Sequence, residues 1–298
     1  SINNMKTKFL HIATALLFVG FTSSCSDFLD RYPLDELSDS SFWKTENDAM
    51  MAVTDIYGCL PTWDQDEDIN SDNAVHGIKW AAGNISKGVY DPMDQSWAGS
   101  YTPIRQCNLV LEKVKDIEMS DESRKKIEGQ AYFFRAMQLF DLVRVYGAVP
   151  VVNKVLMAAD REGAKDYNRE SVETCVNQIL SDLKEAANLL PTRKEWGSDQ
   201  YGRLTKEAAL AYRSRVALVF ASPIFNADWN NTGSKRWKDA LDITLEAQAF
   251  LSSEGYGLYG NSAKDWNEMF YKFDNQECKE VIMVKLLASS TSKNDEHS

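Results

Sequence analysis

"AYFFRAMQLFDLVRVYG", residues 131–147, decides the fold. Phe133, Met137, Phe140 and Val143 recur at steps of three and four along one side, the period of an α-helix. Ala131, Phe134, Leu142 and Val145 line a second side. A helix that is apolar on more than one face has to be sandwiched between neighbours. The stretch therefore predicts a helix over 121–146 inside a stack of helices.

The flanking sequence supplies the rest of the stack. Over 170–190, Val172, Val176, Ile179, Leu183, Ala186 and Leu190 form one stripe, and Pro191 closes the run. Thr205 is placed to cap a helix through about Ala221, with Ala209, Tyr212, Val216 and Phe220 on one side; Ser222-Pro223 ends it. From Ser234, Trp237, Leu241 and Thr244 run beside Ala240, Ile243, Ala247 and Phe250. Shorter helical signals cover Thr45–Leu60 and Ser96–Val114. The expected fold class is mostly α, an irregular tetratricopeptide-like helical repeat scaffold with long loop insertions. Near the end, Val281–Leu287 reads as one short strand-like run ahead of a polar tail.

Lys6 and Lys8 follow a start expected at Met5, Phe9–Phe21 is almost uncharged, and Thr22, Ser23 and Ser24 are small. That is the layout of a secretory signal over residues 1–24. Thirteen helical residues rise only about 20 Å, short of the roughly 30 Å hydrocarbon core, so the segment targets but does not span. Cys25 after the small residues resembles the acylated cysteine of a bacterial lipobox, with Thr22 where many such boxes have Leu. Stable anchoring needs about two acyl chains, which such a cysteine carries. The alternative is an ordinary signal peptide with a cysteine near the cut.

Removing residues 1–24 takes away two lysines and no acids, which leaves 31 basic against 44 acidic residues and a formal charge of −13. A chain this acidic repels phosphate backbones, so no nucleic-acid partner is expected. Cys59, Cys107, Cys175 and Cys278 lie dozens of residues apart with no C-x-x-C pair, and they read as core or incidental thiols rather than disulfides or metal ligands.

Several patterns that suggest chemistry fail on inspection. Asp64, Asp66 and Asp68 alternate like calcium ligands, but Ile69 and Val75 stand where an EF-hand needs Gly and Glu. "GYGLYG" at 255–260 matches G-x-G-x-x-G, yet a helix enters it where a strand should, so it reads as a helix terminator. The three histidines, His11, His76 and His297, offer no pair for a metal and no G-x-S-x-G partner. No metal and no cofactor is expected. Paired carboxylates need no motif and leave a hydrolase as a minor alternative.

The blocks "CSDFLDRYPLDELSDSSFWKTENDAMMAVTDIYGCL", "SWAGSYTPIRQCNLVLEKV", "GQAYFFRAMQLFDLVRVYGAVPVV", "QILSDLKEAANLLP", "GRLTKEAALAYRSRVALVFASP" and "KRWKDALDITLEAQAF" follow in order and resemble the SusD/RagB family of Bacteroidetes nutrient-binding lipoproteins. The resemblance implies a helical tetratricopeptide-like body that binds oligosaccharide or polysaccharide without catalysis. It implies lipid attachment at Cys25, a surface-exposed place on the outer membrane, and a SusC-like TonB-dependent transporter as partner. Asp27 and Asp30 agree with export to the outer face. Family members continue for roughly as much sequence again, so residues 25–298 are expected to form a domain that lacks the family's C-terminal half.

Gripping a sugar takes a flat apolar ring for its C–H face and a few groups for its hydroxyls. The long connection at 61–95 supplies both: Trp63, Trp80 and Tyr90 as candidate platforms, Asp72, Asn73 and Lys79 as candidate hydroxyl partners. Trp43 beside Phe42, and Trp97 with Tyr101, read as packing residues. The alternative function is a scaffold whose helical grooves hold a peptide or protein.

Overall fold

A computed structural model describes residues 42–61, 88, 97–156, 167–226, 235–271 and 278–286. The chain divides into two units, Ser1–Trp43 and Lys44–Ser298. Of the first, Phe42 and Trp43 are described, their rings edge to face at 5.3 Å. Everything below concerns the second.

Among the described residues its helices are α1 (Glu46–Asp55), α2 (Trp97–Lys113), α3 (Asp121–Tyr146), α4 (Val172–Leu189), the single turn α5 (Arg193–Trp196), α6 (Lys206–Ala221), α7 (Lys235–Ser253) and α8 (Ala263–Tyr271). Short 3₁₀ turns follow α1 at Ile56–Cys59 and α5 at Ser198–Gln200. Packing runs in chain order: α2 lies on α3, α3 on α4, α4 on α6 and α6 on α7, with α1 against both α2 and α3. Each helix thus covers the next one's apolar stripe, the logic of a helical repeat array. Among the described residues there is no strand.

The starts of these helices are written in the sequence. Ser120, Ser171 and Thr205 adopt extended backbone and accept the N–H of the third helical residue, satisfying a donor that the helix leaves orphaned. Thr45 with Asp48, and Thr192 with Glu195, close reciprocal capping boxes. Leu190 and Ser222, each before a proline, are held extended and end α4 and α6.

Helix α3 is the axis of the core. Phe133, Phe134, Met137, Phe140, Leu142 and Val143 are all buried, as the two-sided pattern predicted. Val145 departs from that pattern: in the last turn it faces solvent, 47% exposed. Close approach is set by small residues. A Cβ on Gly129 would stand 2.8 Å from Leu190 Cγ, so only glycine lets α3 meet the end of α4 at this spacing. Ala217, Ala221 and Ala240 are buried together between α6 and α7, with Trp237 and Ile243 partly packed against them. Leu241 and Leu245 on the outer side of α7 are more than half exposed, so α7 buries one of its two apolar stripes.

The strand-like run near the end forms no ladder. Residues 281–286 adopt no regular secondary structure, and no strand among the described residues pairs with them. Arg193 Nη2 donates to Val281 O at 2.7 Å and Ile282 O at 3.2 Å, and Lys285 Nζ donates to Leu60 O at 2.6 Å. The run is held on the helices by cations. Gly202, at φ +94°, receives Leu286 where a Cβ would be only 2.7 Å from its side chain.

Candidate functional site

Cys25, Trp63, Asp72, Asn73, Lys79, Trp80 and Tyr90 all lie outside the described residues. What the structure gives is the scaffold to which the 61–95 connection attaches, between the 3₁₀ turn after α1 and the start of α2.

That attachment is tightly built. Tyr57 in the 3₁₀ turn donates its hydroxyl to Gln130 Oε1 on α3 at 2.6 Å and accepts the Leu204 N–H at 2.8 Å. Arg203 lies over the Tyr57 ring at 5.5 Å and donates to Thr54 Oγ1 at 2.8 Å. Gln106 on α2 reaches Asp55 at 3.2 Å, and the Tyr101 hydroxyl donates to Pro150 O at 2.8 Å. Leu60, the last buried residue before the connection, is fixed by Lys285. The described residues on both flanks of the 61–95 connection are thereby fixed to the helical body.

Burial pushes the Tyr57 hydroxyl up to about 12, with the Leu204 N–H and Arg203 acting in the opposite direction. The fold favours the neutral phenol, so this group's contribution to stability is complete below an ordinary tyrosine's value near 10 and is lost as pH rises toward 12. Tyrosinate absorbance of the wild type minus Tyr57→Phe should therefore rise near pH 12. A difference curve centred near pH 10 would contradict this account of the stem.

Behind the stem runs a buried polar network. Arg135 on α3 forks onto Asp182 on α4, Nε to Oδ2 at 2.8 Å and Nη2 to Oδ1 at 2.7 Å, while Nη1 donates to Asn108 Oδ1 on α2 at 2.9 Å. Gln178 donates to Asp182 Oδ1 at 2.9 Å, and Asn108 Nδ2 donates to the carbonyls of Val152 and Lys154. Burial alone would weaken the Arg135 charge, but the bonds and charge of Asp182 outweigh it and raise the guanidinium pKa. One network thus ties three helices and the 149–154 segment into a single block. Its groups are spent on each other, so its role is structural.

Among the described residues nothing assembles a reacting centre. The described cysteines are free thiols, with Cys107 and Cys175 fully buried. Burial pushes the Cys59 thiol up to about 11 and raises that of Cys107, the opposite of an activated nucleophile. No group of three or more metal-type ligands occurs among the described residues. At "GYGLYG" a helix enters, as the sequence reading has it, and a second one follows, because Ser262 and Asp265 open α8. Asp265 accepts from the N–H groups of Asn261 and Ser262 at 3.0 and 3.1 Å, so a carboxylate already caps this helix start.

Two hollows remain. One of about 210 Å³ lies beside Arg193, Glu207 and Tyr256. The larger, about 400 Å³, is a groove walled by α4 and α7 and floored by α6. Sequence reading missed it, since its residues come from three distant segments.

A model of the family described as starch-binding and associating with the outer membrane matches residues 28–218, more than half of the chain. SusD-like protein P38 of Formosa agariphila is 26% identical over 285 residues, 90% of this chain and 51% of that protein. SusD-like protein P25 of the same organism is 22% identical over 284 residues, covering 88% and 49%. The chain spans about half the length of these curated relatives. Among solved structures, a SusD-like protein from Bacteroides fragilis superposes with a TM-score of 0.68 at 26% identity, over 87% of this chain and 48% of its own. A laminarin-binding SusD-like protein gives 0.52 at 23% identity, covering 62% and 42%, and speaks to the fold.

Proposed function

The chain belongs to the SusD-like family, and from that premise we propose that it is a lipid-anchored outer-membrane protein that binds glycan and passes it to a TonB-dependent transporter. The observation that carries this reading is the family match over residues 28–218, on a scaffold that fixes the described flanks of the aromatic-bearing 61–95 connection.

Binding on this reading is stacking plus hydroxyl exchange. Trp63, Trp80 and Tyr90 present ring faces to the C–H faces of sugars, while Asp72, Asn73 and Lys79 meet their hydroxyls. The helices do not touch ligand there; they supply a rigid frame, so that the ordering cost of binding stays small. The laminarin-binding structural neighbour makes β-glucans a sensible first probe beside starch. On this reading the protein binds and does not cut, which is what membership of a binding family implies. The transporter and the anchor rest on the family resemblance and on the lipobox-like stretch before Cys25.

Affinity electrophoresis tests the binding: the purified protein should be retarded in gels containing starch or laminarin and not in plain gels. Equal mobility in every polysaccharide gel would remove the glycan reading. Anchoring has its own test. A fatty-acid analogue fed to expressing cells should label the wild type and leave Cys25→Ala unlabelled, whereas equal labelling of both would discard Cys25 as the tether.

A further inference from the structure

We propose that the groove between α4 and α7 is a second carbohydrate subsite, one that takes a neutral pyranose unit separately from the 61–95 loop. This inference rests on the glycan reading above and adds a place on the described scaffold that no sequence pattern marks.

The shape comes first. Both α4 and α7 pack on α6, and the space between them is left open as a hollow of about 400 Å³. That volume lies within the roughly 300–1,000 Å³ of small-molecule sites. From Glu173 to Leu180 the α4 wall runs two helical turns, about 10 Å, enough for one or two sugar rings.

The chemistry of the lining selects the occupant. Its floor is apolar, with Ala217 and the edge-packed rings of Phe220 and Phe225 at 4.7 Å between centroids. Phe225 is only half-buried and offers ring surface. Above the floor stand Glu173 and Asn177 on α4, four residues apart and therefore on one face. Neither has a hydrogen-bond partner among the described residues. Opposite them are Asp239 and Arg236 on α7. Arg236 is pre-positioned: Nη1 donates to the carbonyls of Phe225 at 2.5 Å and Phe220 at 3.4 Å, so Nε and Nη2 keep their donors.

Acids and bases are therefore balanced across the gap, with Lys235 paired to Asp239. An anionic ligand would meet the carboxylates of Glu173 and Asp239. A cationic one would meet Arg236. A hydroxyl donates to the first pair and accepts from the second, and a pyranose carries several hydroxyls around a C–H face that suits a phenyl ring. A carboxylate and an amide one turn apart can grip neighbouring hydroxyls of one ring.

The test uses the whole protein with ¹³C-labelled alanine methyls, titrated with maltohexaose and with laminarihexaose. Ala217 and Ala240 line the groove and report on it. Their resonances should shift saturably with at least one of the two sugars. The shift should persist when Trp63, Trp80 and Tyr90 are all alanine, and its midpoint should weaken at least tenfold in Asn177→Ala/Asp239→Ala. Those two positions are on helix surfaces, and matched melting curves will show that the variant is folded. Polysaccharide retardation without any shift at these methyls overturns the subsite and leaves the general reading standing. A shift that vanishes in the loop variant also overturns it, because the groove would then only be sensing the loop. Absence of binding to any sugar by either method defeats both.

Discussion

Asp182→Ala is expected to cost about 3–5 kcal/mol of folding stability, the usual penalty for leaving a buried charge without its partner. The Arg135 and Asp182 side chains are 9% and 2% exposed, so water cannot replace the lost carboxylate. Against a total stability of about 5–15 kcal/mol this is a large fraction. For a chain of this size it should lower the melting temperature by roughly 10 °C. The informative control is Arg135→Met/Asp182→Leu, which removes both charges together. Its cost should be smaller, about 1–3 kcal/mol, chiefly because Asn108 Oδ1 loses the donor at 2.9 Å. Urea unfolding of the three proteins decides it. A single-mutant loss below about 1 kcal/mol, in the range of an exposed pair, would mean that the network is wetter than its burial indicates.

The second large effect is on binding. Changing Trp63, Trp80 and Tyr90 together to alanine should weaken capture of the polysaccharide that retards the wild type by more than about 3 kcal/mol, taking each aromatic anchor at about 1 kcal/mol or more. That is a loss of over roughly 100-fold. Melting should barely change, because the scaffold's core is made by α1 to α7 and is closed by Tyr57, Leu60 and Lys285 at the stem. Equal affinity in the triple variant would move the main site elsewhere, and a coincident fall in stability would mark the rings as packing residues.

Much of the scaffold was legible from period alone. Helix α3 ends at Tyr146, where the apolar pattern ends, and α4 and α6 begin at the caps Ser171 and Thr205. The two-sided stripe of 131–147 correctly demanded neighbours on both sides. The misreadings have local causes. In α8, Trp266, Phe270 and Tyr271 remain more than 60% exposed, so the helix displays no buried stripe, and only the Ser262–Asp265 cap announces it. The Thr192–Glu195 box that opens α5 is the same kind of signal. The β-branched run at 281–286 has the composition of a strand but lacks a neighbour to pair with, and its carbonyls at 281 and 282 are taken by Arg193.

The candidate sites divide along the same line. Aromatics in an acidic loop can be picked out by residue type, but which ring faces a ligand depends on loop geometry, which has no period. The groove is the reverse case. Glu173, Phe225 and Asp239 each look like ordinary surface or turn residues, and they become a set only when α4 and α7 settle on α6.

The most direct test of the central claim is to incubate the purified protein with the polysaccharide panel and follow binding heat and released reducing ends in the same sample. The account predicts saturable binding to at least one glycan with no release above the protein-free control. Flat heats across the whole panel, or steady release of reducing sugar, would contradict it.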